Sequence, residues 1–231
     1  MKVIDMHCDT LLGIALNRQK GIECSLRNND LNISLEKMKQ GDYLLQNFAI
    51  FTHLKEVEEP VKFVMDMIDL FYNEMKQNKD IIKPIQTYQD IIDNQNNGLM
   101  SAMLTLEEGA VVNNDLAYLR NYYRLGVRMI TLTWNFENGI GFPNFSKNGY
   151  GEYDDKNGLT DFGIEYIKEC ERLGIIIDVS HLNDAGFYDV LKYTKAPFVA
   201  SHSNARSVCS HARNMSDDMI KQLSKRGVSW V

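Results

Sequence analysis

The chain has 231 residues, 44% of them hydrophobic and 24% charged, with a net charge of −6, which is globular composition at a length typical of one α/β domain. No basic excess argues for nucleic acid, and no apolar run reaches the ~18 residues of a membrane span, so neither partner is expected. The N-terminus carries no apolar leader segment and the four cysteines, Cys8, Cys24, Cys170 and Cys209, form no CxxC pair, so a cytoplasmic protein with reduced thiols is expected.

The first apolar strand, VIDMH (3–7), runs into Asp5, His7 and Asp9 at every second position. Alternate side chains of an extended strand share a face, so these three groups are expected to converge, with Cys8 on the opposite face. SLEKMKQG (34–41) reads as a helix from a Ser cap to a Gly stop, and YLLQNFAIF (43–51) as a strand. EEPVKFVMDMIDLFYNEMKQN (58–78) has apolar residues at helical spacing and Pro60 near its first turn. A shorter helix, TYQDIIDNQNN (87–97), precedes the strand LMSAMLTLE (99–107), which ends at Glu107 and Glu108. The helix NDLAYLRNYYRLG (114–126) leads to the strand VRMITLTW (127–134). The segment 135–158 is a long loop rich in Gly, Asn and aromatic residues, and loops of that length tend to be functional. LTDFGIEYIKECERLG (159–174) is a helix with Thr160 as cap. GIIIDVSH (174–181) is a strand ending in Asp178 and His181, LNDAGFYDVLKYT (182–194) a helix, and PFVASHS (197–203) a strand ending in His202. SDDMIKQLSKRG (216–227) is a helix with a Ser216 cap and two acids in its first turn. KRGVSWV (225–231) opens a further strand at most.

Strand and helix in alternation predict parallel strands with right-handed crossovers. In parallel barrels the site lies at the C-terminal strand ends, and three of the five histidines fall there. One histidine after a strand is ordinary. Three of them, with a His-x-Asp pair and a strand-end Glu, favour a metal site. Nitrogen and carboxylate donors without thiolate suit zinc or another borderline divalent metal. Three His and two carboxylates exceed one tetrahedral zinc and fit a pair of metals bridged by a carboxylate. Only one of Glu107 and Glu108 can face that pair, because neighbouring strand residues point opposite ways.

The stretches DMHCDTL (5–11), LTLEEGA (104–110), GVRMITLTWN (126–135), GLTDFGIEYIKECERLGIIIDVSHL (158–182) and APFVASHSNARSVCSHARNMSDDMI (196–220) resemble the membrane dipeptidase (renal dipeptidase) family of zinc metallopeptidases, among the amidohydrolase-like TIM barrels. The resemblance runs the length of the chain in the expected order. It implies a TIM-type (β/α)8 barrel and a dipeptidase with two zinc ions, in which a hydroxide bridging the metals attacks the peptide carbonyl. It implies His7 and Asp9 as ligands of one metal, His181 and His202 as ligands of the other, and Glu107 as the bridge. Arg213 takes the place of the arginine that holds the substrate's carboxylate, a task suited to a guanidinium fork, whereas Arg206 reads as a surface ion pair. Trp134 stands where the family often has a substrate-contacting His, and an indole cannot act as a charged electrophile. The chain is expected to be one barrel domain over 1–231, truncated at its C-terminus with six to seven strands and without the strand-eight aspartate of the family. An unclosed barrel leaves an open strand edge, so a homo-oligomer is expected, and without the strand-eight aspartate weak or no dipeptide turnover is expected. Two rival readings remain: a non-catalytic metal-binding remnant, and a related barrel hydrolase of another amide or a lactone.

Overall fold

The structure, a computed structural model, describes residues 1–144 and 156–227. The middle of the long loop and the end of KRGVSWV lie outside the described residues. The chain divides into two compact units, residues 1–106 with 125–128, and residues 107–124 with 129–231.

In the first unit, β1 (Val3–Asp5) is followed by α1 (Thr10–Gln19), α2 (Leu35–Gln40), β2 (Tyr43–Phe51), α3 (Pro60–Gln77), β3 (Ile82–Ile85), α4 (Tyr88–Asn96) and β4 (Met100–Glu107), whose last residue belongs to the second unit. β1 pairs parallel with β2, Val3 against Tyr43 and Asp5 against Gln46, and β3 pairs parallel with β4 from Ile82–Met100 to Ile85–Met103. β4 is buried along its whole length, as expected of a parallel strand covered on both faces. Phe48 of β2 meets Phe71 of α3 with ring centroids 6.2 Å apart, and Leu11, Ile14 and Ile50 are fully buried. The helix starts follow local chemistry. Ser34 caps α2 by accepting from Lys37 N, Pro60 occupies the first turn of α3, and Thr87 with Asp90 forms a reciprocal capping box on α4.

The second unit contains a single 3-10 turn (Gly109–Val112), α5 (Leu116–Arg124), the end of β5 (Val127–Thr131), α6 (Asp161–Leu173), β6 (Ile176–Asp178), α7 (Asp184–Tyr193) and α8 (Asp217–Lys225). β5 and β6 pair parallel, Met129 against Ile176 and Thr131 against Asp178. Thr160, Asn183 and Ser216 cap α6, α7 and α8 through their side-chain oxygens. Gly174 ends α6 at φ +78°, a left-handed C-cap that glycine adopts without strain. At the N-terminus of α6, a Cβ on Gly163 would lie 2.0 Å from the Ile140 carbonyl oxygen, so only glycine lets the helix pack there.

Three expectations are corrected. α1 and β3 were not expected as elements. PFVASHS is not a strand: Val199 makes a single bridge to Asp178, and beyond it Ser201 N donates to Asp178 Oδ1 and His202 N to Ser180 Oγ. Side chains have taken the backbone donors that a strand ladder needs. The opening strand also stops early, at Asp5, where the Asp5 carboxylate accepts from His7 N. Asp9 is the N-cap residue of α1. A turn, not strand alternation, therefore sets His7 and Asp9 side by side. Among the described residues no helix is long and apolar enough to cross a membrane.

Candidate metal centre

Two strand ends are built alike. Asp5 ends β1 and accepts from the backbone N–H of His7. Asp178 ends β6 and accepts from the backbone N–H of Ser180, at 3.0 Å. Such Asx turns satisfy the chain locally once the ladder stops. Each delivers a histidine: His7 within the first turn, His181 just beyond the second. His181 sits at φ +69°, a left-handed conformation rare for a residue with a Cβ and concentrated at functional sites.

In the first unit, His7 Nε2 lies 3.6 Å from Asp9 Oδ1. The pair borders a cavity of about 590 Å³, to which Asp30 and Asn32 also contribute. Cys8, beside them, is buried, and burial pushes its thiol up to about 12, so it stays protonated and inert at neutral pH.

In the second unit, three acceptors converge. His181 Nε2 lies 2.9 Å from His202 Nε2 and 3.1 Å from Glu107 Oε1, and His202 Nε2 lies 3.6 Å from the same oxygen. The other ring nitrogens define the tautomers. His181 Nδ1 is 2.8 Å from Asn135 Oδ1, an acceptor, so Nδ1 carries the proton. His202 Nδ1 is 2.7 Å from Ser201 Oγ, whose own hydrogen goes to Asp178 Oδ2 at 2.5 Å, so this Nδ1 is also the donor. Both Nε2 atoms thus turn lone pairs toward each other and toward a carboxylate, an arrangement that repels unless a cation joins the three. A proton at His181 is disfavoured, since burial, above all, holds its pKa down to about 4. A divalent metal fits. Around a tetrahedral zinc with ligands at 2.0–2.1 Å, neighbouring donor atoms lie roughly 3.3 Å apart, and the three separations bracket that value.

Asp178 anchors the set. It is fully buried and accepts from Thr131 Oγ1, Ser180 N, Ser201 N and Ser201 Oγ. Burial works to raise its carboxyl, but the nearby His202 and the donors from Ser201 and Thr131 outweigh it and hold the group below the usual carboxylate range. Such a carboxylate behind a ligating histidine fixes ring orientation and basicity.

Glu108 faces another way. At φ +88° it accepts from Ala110 N, Trp134 N and Asn138 Nδ2. Burial pushes its carboxyl up to about 7 against those hydrogen bonds. The Trp134 ring stands 6.3 Å from His181 and meets Phe136 edge-on at 5.4 Å. Arg213 is largely buried. Its Nη2 donates to the His202 carbonyl at 3.4 Å, and its Nη1 is buried with no hydrogen-bond partner among the described residues. Burial lowers its pKa to about 10, which leaves it charged at neutral pH. Arg206, by contrast, makes a two-pronged ion pair with Asp184 at 2.7 and 2.8 Å.

The sequence reading missed Asn135, Ser180 and Ser201. A hydroxyl directly before each of His181 and His202 was the available signal. Asn135 had none, because its partner lies 46 residues away.

The Membrane dipeptidase (Peptidase family M19) profile matches residues 1–229. An uncharacterized dipeptidase of Schizosaccharomyces pombe is 34% identical over 98% of this chain and 57% of its own length. Dipeptidase 3 of Homo sapiens is 28% identical over 97% of this chain and 46% of its own length. The chain spans about half the length of the curated relatives it matches. Among solved structures, a metallo peptidase from Rhodobacter sphaeroides, liganded with a phosphinate mimic of the dipeptide L-Ala-D-Ala, has a TM-score of 0.85 at 25% identity, over 100% of this chain and 73% of its own. A dipeptidase described as a metallo peptidase of family M19 has a TM-score of 0.84 at 26% identity, over 100% of this chain and 71% of its own. The α/β architecture expected from the sequence is the one these peptidases share, and the chain belongs to the membrane dipeptidase family.

Proposed function

We propose that this chain is the metal-binding part of a dipeptidase that holds two zinc-class ions through His7, Asp9, Glu107, His181 and His202. One observation carries the reading: the Nε2 atoms of His181 and His202 turn lone pairs toward Glu107, each with its Nδ1 proton already given to an acceptor. When bound, the metal pair supplies an activated water as nucleophile and polarises the peptide carbonyl. The chain's own residues do the rest. Glu107 would take the place of the bridging carboxylate that the family resemblance implies. Asn135 and the Asp178–Ser201 pair orient the histidines. Arg213 offers its buried Nη1, which has no hydrogen-bond partner among the described residues, to the free carboxylate of a dipeptide, a charge-assisted contact that fixes one end of the substrate. Trp134 packs against the substrate rather than polarising it, since an indole has only one N–H donor.

The ligand of the Rhodobacter sphaeroides structure supports an L-D dipeptide as one accepted substrate. Four free cysteines support a cytoplasmic, reducing location. β1 lies at one end of the strand order with Ile4 48% exposed, which supports a homo-oligomer formed over that edge.

The test combines elemental analysis after mild dialysis with hydrolysis of paired L-L and L-D dipeptides by the same preparation. Close to two metals per chain and weak turnover of dipeptides are expected. A chain that takes up no metal even after zinc is added overturns the reading. A chain that binds two metals but cleaves only another amide or a lactone overturns the substrate.

A further inference from the structure

We propose that Glu108 is a positioning residue of this centre: through Asn138 it pins the loop that holds Asn135 against His181, and so decides which ring nitrogen of His181 carries the proton. The proposal rests on the metal-centre reading above.

The connection can be followed atom by atom. The Glu108 carboxylate takes Asn138 Nδ2 on one oxygen and Trp134 N on the other. The same Asn138 Nδ2 donates to the Leu132 carbonyl at 3.0 Å, and Asn138 Oδ1 accepts from Ile140 N and Gly141 N at 2.8 and 3.1 Å. The run from Leu132 to Gly141 is therefore wound around one side chain, and that side chain is tied to the end of β4 at Glu108. Two residues inside the wound run meet His181: Trp134 through its ring and Asn135 through Oδ1. Glu108 holds its left-handed backbone conformation while making these contacts, and non-glycine residues in that region are uncommon unless their surroundings hold them there.

The chemical consequence lies in the His181 tautomer. With Asn135 in place, the proton resides on Nδ1 and Nε2 is a free lone pair. Without that acceptor, the proton can move to Nε2, which lies 2.9 Å from His202 Nε2. The two rings would then close on each other as a donor and acceptor pair, and the metal would have to break that bond to enter. Glu108 thus works against a competing state of the empty centre. Its reach is through Asn138 and Asn135, because its own carboxylate is committed to Ala110, Trp134 and Asn138.

Glu108→Gln keeps the shape and removes one acceptor oxygen. Zinc affinity, measured against a competing chromogenic chelator, is expected to fall ~10-fold or more, in the range found when partners behind metal ligands are replaced. Long-range 1H–15N spectra of the metal-free protein should show the His181 proton moving from Nδ1 toward Nε2. In an Asn135→Ala background the same Glu108→Gln change should alter zinc affinity by less than ~2-fold, because the link is already cut. Should Glu108→Gln fail to fold, Asn138→Ala cuts the chain of contacts one step further on and is read in the same way. An unchanged tautomer with unchanged zinc affinity overturns the proposal. So does full additivity with Asn135→Ala, which would make Glu108 a general stabiliser. Failure of the wild-type chain to bind zinc would sink the metal reading alone, since the tautomer comparison needs no metal.

Discussion

Asp178 shows how much of this centre depends on residues that touch no ligand site. Its four hydrogen-bond donors come from Thr131, Ser180 and Ser201, and the last of these reaches His202. Asp178→Asn would turn an NH2 group toward one or more of those donors in a fully buried position. Unmet buried donors cost about 1–3 kcal/mol, so urea unfolding should show a loss of that order. Zinc affinity should fall ~10–100-fold in parallel, because the Ser201 hydroxyl is no longer committed and His202 loses its fixed tautomer. A stability loss with unchanged zinc affinity would mean that Ser201 does not orient the ring. Among residues that do touch the site, the histidines and Glu107 were legible in the sequence because each stands at the end of an apolar run. Their orienting partners were not, because Asn135 and Asp178 reach them across folded structure rather than along the chain.

At the scale of elements, helices with side-chain caps were readable, since Ser34, Thr87, Thr160, Asn183 and Ser216 act on the backbone three residues ahead. α1 escaped because Asp9 caps it by position, without a side-chain hydrogen bond, and Gly13 interrupts its pattern. β3 escaped because it is four residues long and contains Pro84. Strand ends were read too long wherever an Asx turn had replaced the ladder. One contact between elements gives a pH test. Glu169 of α6 binds Arg172 of its own helix at 2.6 Å and Arg120 of α5 at 3.2 Å. Arg172 first, and then Arg120, hold its pKa down to about 2 against an ordinary value of 4.5. A group depressed on folding adds stability above its unfolded pKa and loses it as the pH falls toward the folded one. Glu169→Gln should therefore lower the stability of metal-free protein by about 0.5–1 kcal/mol near neutral pH. The gap from wild type should close between about pH 4.5 and pH 2, as read from urea titrations at stepped pH. A gap that persists in acid would assign the effect to packing.

For the molecule as a whole, the four cysteines report on the folded state. Cys8, Cys24 and Cys170 are buried and Cys209 is exposed. Ellman's reagent should find one fast thiol per chain and three that react only on unfolding, and a second fast thiol would mean that the burial of Cys8, Cys24 or Cys170 is not kept in solution. The family profile covers nearly the whole chain, and the alternation of strand and helix that was legible at the outset runs through the described residues from β1 to α8.

The convergence of Glu107, His181 and His202 from three distant segments also has a kinetic meaning. Contacts of large sequence separation close late, after loop entropy has been overcome. A transition state that lacks all three ligands in place offers zinc nothing to bind. Zinc should therefore leave the refolding rate unchanged and act wholly on the other limb, slowing unfolding in proportion to occupancy. Stopped-flow chevrons with and without zinc would show this as a shift in one arm only. The ion would then serve as a latch set after assembly, and a refolding arm accelerated by zinc would instead make it part of the nucleus.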